Sequence, residues 1–301
     1  VDSNNGDKKT VPLIQFVSSM LIFGTIGIFR RYISLPSGFL IFARGLLGGL
    51  SVILFVKLRS GHVFRRSGMR HLVWLILTGV LLGSEWIMLF EAYNLTTVAI
   101  ASLCNYMQPI IVLLLSPLVF KERMTAKKLI CGVIAVAGMV LVSGVTEGNV
   151  IAVNHTKGVL LGLGSAILYA MFVIMNKKIT NIDPYTKTVI QLFSAAAVTI
   201  PYLFLSGELG RIEFDPITVT LLLVVGIVHT GFSYVLYFRS MEGLKAQTIA
   251  ILSYIDPIAA LLFSALILKE SLSALGLAGA VMILGAAIVS EFERKRVRRN
   301  E

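Results

Sequence analysis

Along the chain, apolar residues run for about 20 positions at a time and then give way to short polar connections. The runs are apolar all round, without the one-sided stripe of a helix on a soluble surface. The pattern predicts an all-α polytopic membrane protein with ten transmembrane helices, over 11–30, 38–57, 71–91, 97–119, 127–145, 157–176, 184–206, 216–238, 246–268 and 274–292. Helices of this length cross roughly 30 Å of hydrocarbon at about 1.5 Å per residue. A β-barrel is excluded, because alternating segments of about ten residues are absent. The longest connections, 58–70 and 146–156, leave no room for an inserted catalytic domain.

Two of these runs are broken in the same way. Residues 104–110 read CNYMQPI and residues 252–258 read LSYIDPI. At that offset Tyr106 aligns with Tyr254, Pro109 with Pro257, Lys121 with Lys269 and Glu122 with Glu270. The alignment predicts a first five-helix repeat at 11–145 and a second at 157–292, followed by a basic cytoplasmic tail at 293–301. Five crossings are odd, so the second unit enters from the other side and the repeats are inverted.

Composition agrees with burial in lipid. The 301 residues are 56% hydrophobic and 14% charged, against about a quarter charged in soluble domains; mean hydropathy is +0.85. Of the 27 basic residues, Arg44 lies within a span. Only Arg30, Arg31, Lys157, Arg211 and Lys269 fall on the side opposite the termini. The positive-inside rule therefore predicts a multi-pass protein of the plasma (inner) membrane with both termini cytoplasmic. The net charge of +11 reads as orientation and contact with anionic membrane lipids, with no nucleic-acid partner. The opening VDSNNGDKKT lacks the series of a signal peptide. Cys104 and Cys131 have no metal or disulfide spacing, and no cofactor is expected.

FKERMTAKKLICGVIAVAGMVLV (120–142) and LKESLSALGLAGAVMILGAAIVS (268–290) resemble the closing segment of each unit in the EamA branch of the drug/metabolite transporter superfamily. PSGFLIFARGLLGGL (36–50), with Arg44, resembles the start of that family's second helix, and SAILYAMFVIMNKKI (165–179) stands where the second unit begins. The resemblance covers about 11–292. It implies a ten-helix carrier, related to exporters of amino acids and other metabolites. The second unit lacks a counterpart to Arg44, which argues for a site off the symmetry axis.

A charge within the bilayer costs roughly 2.5–3.5 kcal/mol on insertion scales, so each needs a partner or a task. Arg44 and Glu85 lie on neighbouring helices and form either a structural ion pair or the charged lining of a cavity, with Glu85 also a candidate for carrying a coupling proton. Trp86 and Tyr93 stand beside Glu85. His229 is the one histidine deep within a span; steps of four place Ser233 and Tyr237 on its face, with Tyr234 adjacent. Asn105, Tyr106 and Gln108 precede Pro109, and Ser253, Tyr254 and Asp256 precede Pro257. Each proline removes a backbone donor and exposes carbonyls one turn earlier, which the polar neighbours or a solute must satisfy. Glu122 and Glu270 are expected to begin the fifth and tenth helices.

No phosphate loop, metal spacing or nucleophile motif is present. The leading expectation is a secondary active transporter exporting an amino acid or related solute by alternating access, not an enzyme. A gradient-driven channel is the alternative, with an intramembrane enzyme a distant third. The partners expected are a small-molecule solute, lipids and a proton, in a monomer or weak homodimer.

Overall fold

Helices begin where the sequence supplies an oxygen and a proline. Asp183 accepts a hydrogen bond from the Thr186 N–H and is followed by Pro184, which starts one helix. Asp215 accepts from the Ile217 and Thr218 N–H groups before Pro216, which starts another. Both are N-caps followed by a proline whose missing proton costs the first turn nothing. Thr97 accepts from the Ile100 N–H in the same role.

The computed structural model describes residues 4–60, 69–120, 125–142, 153–179, 182–207, 210, 212, 214–244 and 252–292. In chain order the helices are α1 (Asn4–Gly24), α2 (Ile26–Tyr32), α3 (Ser37–Ser60), α4 (Met69–Leu95), α5 (Val98–Asn105), α6 (Gln108–Phe120), α7 (Ala126–Val142), α8 (Val153–Lys178), α9 (Pro184–Leu205) and α10 (Pro216–Leu223). A π-helix over Val224–Phe232 then leads into α11 (Ser233–Gly243), α12 (Ile255–Ile267) and α13 (Ala274–Phe292). α1 and α2 join end to end at Thr25, and α5 and α6 at Tyr106–Met107, so the described helices follow ten segments.

Seven stretches among the described residues are long and apolar enough to cross a bilayer, against the ten expected. Leu129–Val142, Ile255–Ile267 and Ala274–Val289 are shorter. The ninth segment is the clearest departure. A turn at Ser253–Tyr254 leaves α12 with 13 residues, about 20 Å of helix. Residues 245–251, the basic tail at 293–301, and Lys121 and Glu122 lie outside the described residues.

The surface is inverted relative to a soluble protein. Phe204, Leu262, Leu266 and Val281 are exposed, while Arg44, Glu85, Asn105 and Ser165 are buried. α4 packs on α8 and α9, and α3 on α9 and the π-helix. α1 packs on α11 and α12, and α5 on α8 and α12. α4 and α9 run side by side in the same direction, since Gly79 abuts the Gln191 backbone and Gly83 the Ala195 backbone. α7 and α13 pair closely with each other.

That last pair depends on two glycines. A Cβ on Gly138 would stand 2.7 Å from the Gly279 carbonyl oxygen, and a Cβ on Gly279 would collide with the Gly138 carbonyl oxygen. Backbone cannot yield as a side-chain tip does. Gly138→Val is expected to cost about 1–3 kcal/mol by overpacking, read as a lowered thermal midpoint of the detergent-solubilised protein. Gly285→Ala, whose Cβ meets open space, is expected to leave that midpoint unchanged.

Candidate functional site

A cavity of about 890 Å³ lies between helices α1–α6, α8, α9, α11, α12 and the π-helix. Both charge signs face it. Arg44 donates from Nε to Thr230 Oγ1 at 2.9 Å, and its guanidinium lies 3.9 Å from the centre of the Trp86 ring. The ring's negative face takes the role a carboxylate would otherwise play. The ion pair between Arg44 and Glu85 considered from the sequence does not form: no Arg44 nitrogen comes within 4.0 Å of a Glu85 oxygen. Glu85 turns instead to Asn105, whose Nδ2 donates to Glu85 Oε1 and to Ser165 Oγ, both at 2.9 Å. The other oxygen, Glu85 Oε2, is buried without a hydrogen-bond partner among the described residues.

The two broken helices meet in this cavity. Pro109 has no proton for the Asn105 carbonyl one turn back, and the chain turns at Tyr106–Met107. Pro257 has the same effect on Ser253. Tyr106 and Asp256, one from each break, both face this cavity and interact electrostatically across it. Gln108, Ser253 and Tyr254 line the same space, as do Pro109 and Pro257.

His229, Tyr234 and Tyr237 face the cavity; Ser233 does not line it. The π-helix is the reason. Its wider turn replaces steps of four by steps of five, so the residue that follows His229 on its face is Tyr234. Ser233 turns back to its own backbone and donates to the Val228 carbonyl at 2.9 Å, as Thr230 does to Val225 at 3.0 Å. His229 reaches Thr25, at the α1–α2 junction, with Nε2 2.8 Å from Oγ1. Thr25 Oγ1 also donates to the Ile22 carbonyl at 2.7 Å, and His229 Nδ1 stands 3.5 Å from the Val224 carbonyl. Phe29 packs edge-on against the imidazole.

Several lining residues were not singled out from the sequence. Tyr169, Phe172 and Asn176 come from α8, and Lys187, Thr188 and Gln191 from α9. Gln191 Nε2 donates to Thr78 Oγ1 and to Asn176 Oδ1, both at 2.8 Å, tying α9 to α4 and α8. An uncharged polar residue with no proline beside it carries little signal in a membrane helix; its contribution here comes from the helices it joins.

The cavity's two ends differ. Its lining runs out to Ile182, Pro184 and Tyr185, where α8 connects to α9, level with the start of α4. Beyond the far end of α4, Arg31 donates to Glu270 Oε1 and to the Thr96 carbonyl, each at 3.1 Å. Glu270 Oε2 accepts from the Ala99 N–H at 3.3 Å and from Ser264 Oγ. Glu270 therefore does not begin the tenth helix, which starts at Ala274; its carboxylate sits at the N-terminus of α5. The end of α2 and the α4–α5 and α12–α13 connections are thereby joined.

The EamA-like transporter family model matches residues 10–144 and again 156–291. The chain is 29% identical over 260 residues to "Uncharacterized transporter YxxF" of Bacillus subtilis, covering 86% of this chain and 82% of that protein. It is 30% identical over 203 residues to the "Probable amino-acid metabolite efflux pump" of Salmonella typhimurium, covering 64% and 67%. A crystal structure at 18% identity matches 96% of this chain and 99% of its own with a TM-score of 0.65, a likeness of fold.

The π-helix makes a direct prediction. With Cys104 and Cys131 replaced by Ala, a cysteine at position 234 is expected to react with a water-soluble thiosulfonate at least tenfold faster than one at position 233. Equal rates would mean that the face through His229 continues in steps of four.

Proposed function

Because the chain belongs to the EamA-like transporter family, we propose that it is a secondary carrier that exports a small amphipathic solute of the amino-acid class by alternating access. The observation that carries this reading is the cavity itself. Its volume of about 890 Å³ falls within the roughly 300–1,000 Å³ of small-molecule sites. Arg44, Glu85 and Asp256 supply opposite charges, aromatic rings supply the walls, and one end is tied shut by Arg31 and Glu270. The efflux role in the name of the Salmonella relative favours export of an amino-acid metabolite.

Ten crossings in two inverted repeats supply the mechanism. The double match of the family model, at 10–144 and 156–291, favours two units. Three correspondences in the packing favour the exchange that such repeats would make. α4 with α8 corresponds to α11 with α1; α4 with α9 to the π-helix with α3; and α5 with α8 to α12 with α1. Two shapes of the same five-helix unit, exchanged between the halves, would open the cavity first at the α8–α9 connection and then at Glu270. With the termini cytoplasmic in the inner membrane, the reading the basic residues favour, the α8–α9 end of the cavity faces the cytoplasm. Loading from that side suits export. A proton is the coupling ion this reading allows, with Glu85 or Asp256 to carry it. A channel fits less well, since a pore must be open at both ends at once.

The test is reconstitution into liposomes with a panel of radiolabelled amino acids. Uptake stimulated several-fold by unlabelled solute inside the vesicle is expected of a carrier. Flux indifferent to internal solute would support the channel, and no flux for any labelled amino acid would count against the substrate class.

The Glu270 cluster generates a second prediction. Glu270→Gln removes the charge that Arg31 meets and weakens the bond to Ala99. Labelling of a cavity cysteine from the side of Glu270 is expected to rise several-fold, the scale of a partly exposed ion pair. Unchanged labelling would show that Glu270 does not latch that end.

A further inference from the structure

Buried polar atoms in folded proteins nearly always have a hydrogen-bond partner, and an exception asks for an explanation. Two such exceptions line the cavity. Glu85 Oε2 and Gln108 Oε1 are both buried acceptors without a donor among the described residues. Both line the same cavity, where Glu85 is held through its other oxygen by Asn105 and Gln108 follows Asn105 by three residues.

The other charged groups of the cavity are already engaged. Arg44 rests on Trp86 and Thr230. Asp256 faces Tyr106 across the cavity and is not among its orphaned buried acceptors, and Lys187 Nζ donates to the Asn176 carbonyl at 3.2 Å. Glu85 is fixed on one side and open on the other. Only 2% of its surface is exposed, and Asn105, itself anchored on Ser165, holds it in position. A carboxylate oxygen so held is preorganised for a donor that arrives with the solute. Neither protonation state removes the need: an ionised Oε2 lacks a donor, and a protonated one lacks an acceptor.

We propose that Glu85 and Gln108 form the head-group subsite of the cavity and that the head they receive is a protonated primary amine. An ammonium carries three protons, enough to serve both orphaned acceptors, and its charge complements a buried carboxylate that, among the described residues, has no cation within 4.0 Å. Asn105 is a positioning residue that acts through Glu85. Beside the subsite, Tyr93, Tyr106, Tyr169 and Phe172 offer rings for the body of the solute. This assignment rests on the carrier reading for its purpose, but its test measures binding and not transport.

The protein has two tryptophans. Trp74 is exposed and stands away from the cavity, whereas Trp86 lines it beneath Arg44. Trp74→Phe therefore makes tryptophan fluorescence a report from the site. Three probes of similar shape separate the head groups: phenethylamine has the amine alone, 3-phenylpropionate the carboxylate alone, and phenylalanine both. On the full chain in detergent, the two amines are expected to give saturable changes in Trp86 emission, with 3-phenylpropionate at least roughly tenfold weaker, the scale of a charge-assisted hydrogen bond. Glu85→Gln is expected to weaken amine binding roughly tenfold or more and to leave the carboxylate probe unchanged. Gln108→Leu, which retains Glu85 and Asn105, is expected to weaken it several-fold and carries the test if the Glu85 variant does not fold. Unchanged amine binding in both variants, a preference for the carboxylate, or no amine response in the parent would overturn the proposal. Trans-stimulated flux together with unchanged amine binding in Glu85→Gln would remove the subsite and leave the carrier. Amine binding lost with Glu85 but no flux of any solute would do the reverse.

Discussion

Inside a bilayer, a polar group finds no water, and the rest of this structure follows from where each one finds a substitute. The Asn105 amide is the centre of that arrangement. It bridges Glu85 of α4 and Ser165 of α8, and it stands at the end of α5, just before the helix breaks. One side chain thereby joins three helices and holds a carboxylate at hydrocarbon depth. Gln191 does the same nearer the mouth, between Thr78 and Asn176. Helices that are apolar on their outer faces have no hydrophobic reason to associate in lipid; close backbone packing and these bonds supply one.

The same requirement shapes the backbone where it departs from the α-helix. At Pro109 and Pro257 a carbonyl loses its donor, and in both places the chain turns and puts polar side chains around the gap. The breaks lie together because α5 packs on α12 and both border the cavity. The π-helix is a third departure. Ser233 and Thr230 spend their hydroxyls on carbonyls five residues back, and the widened turn brings Tyr234 onto the face of His229. Bonds at Thr25 and His229 then fasten this segment to the α1–α2 junction. Among the described residues, these three departures all border the same cavity.

Much of the site was legible in the chain because its signals are local or obligatory. A charge or a proline in an apolar run is costly wherever the run folds, so Arg44, Glu85, Asn105, Tyr106 and Asp256 stood out before any contact was known. Ser233 was misassigned because a periodic argument presumes one helix type, and nothing in GIVHTGFSYVLYF announces a π-turn. Glu270 was taken for the start of the tenth helix because the dipole argument sees only the nearest helix in sequence. The helix end it serves, at Ala99, lies 171 residues away.

The amino-acid sequence by itself determined the membrane class, the segment pattern, the repeated Tyr–Pro break and the presence of both charge signs at depth. Each follows from the cost of placing a residue in hydrocarbon, which depends on the residue and its immediate run. Only the tertiary structure decided the partnerships. Arg44 lies on Trp86 and not in an ion pair with Glu85, one oxygen of Glu85 is left without a partner among the described residues, and Arg31 and Glu270 join the segments at one end of the cavity. Those outcomes depend on which helices lie side by side, and a charge 3.9 Å from a ring cannot be read from residues that stand 42 positions apart in the chain.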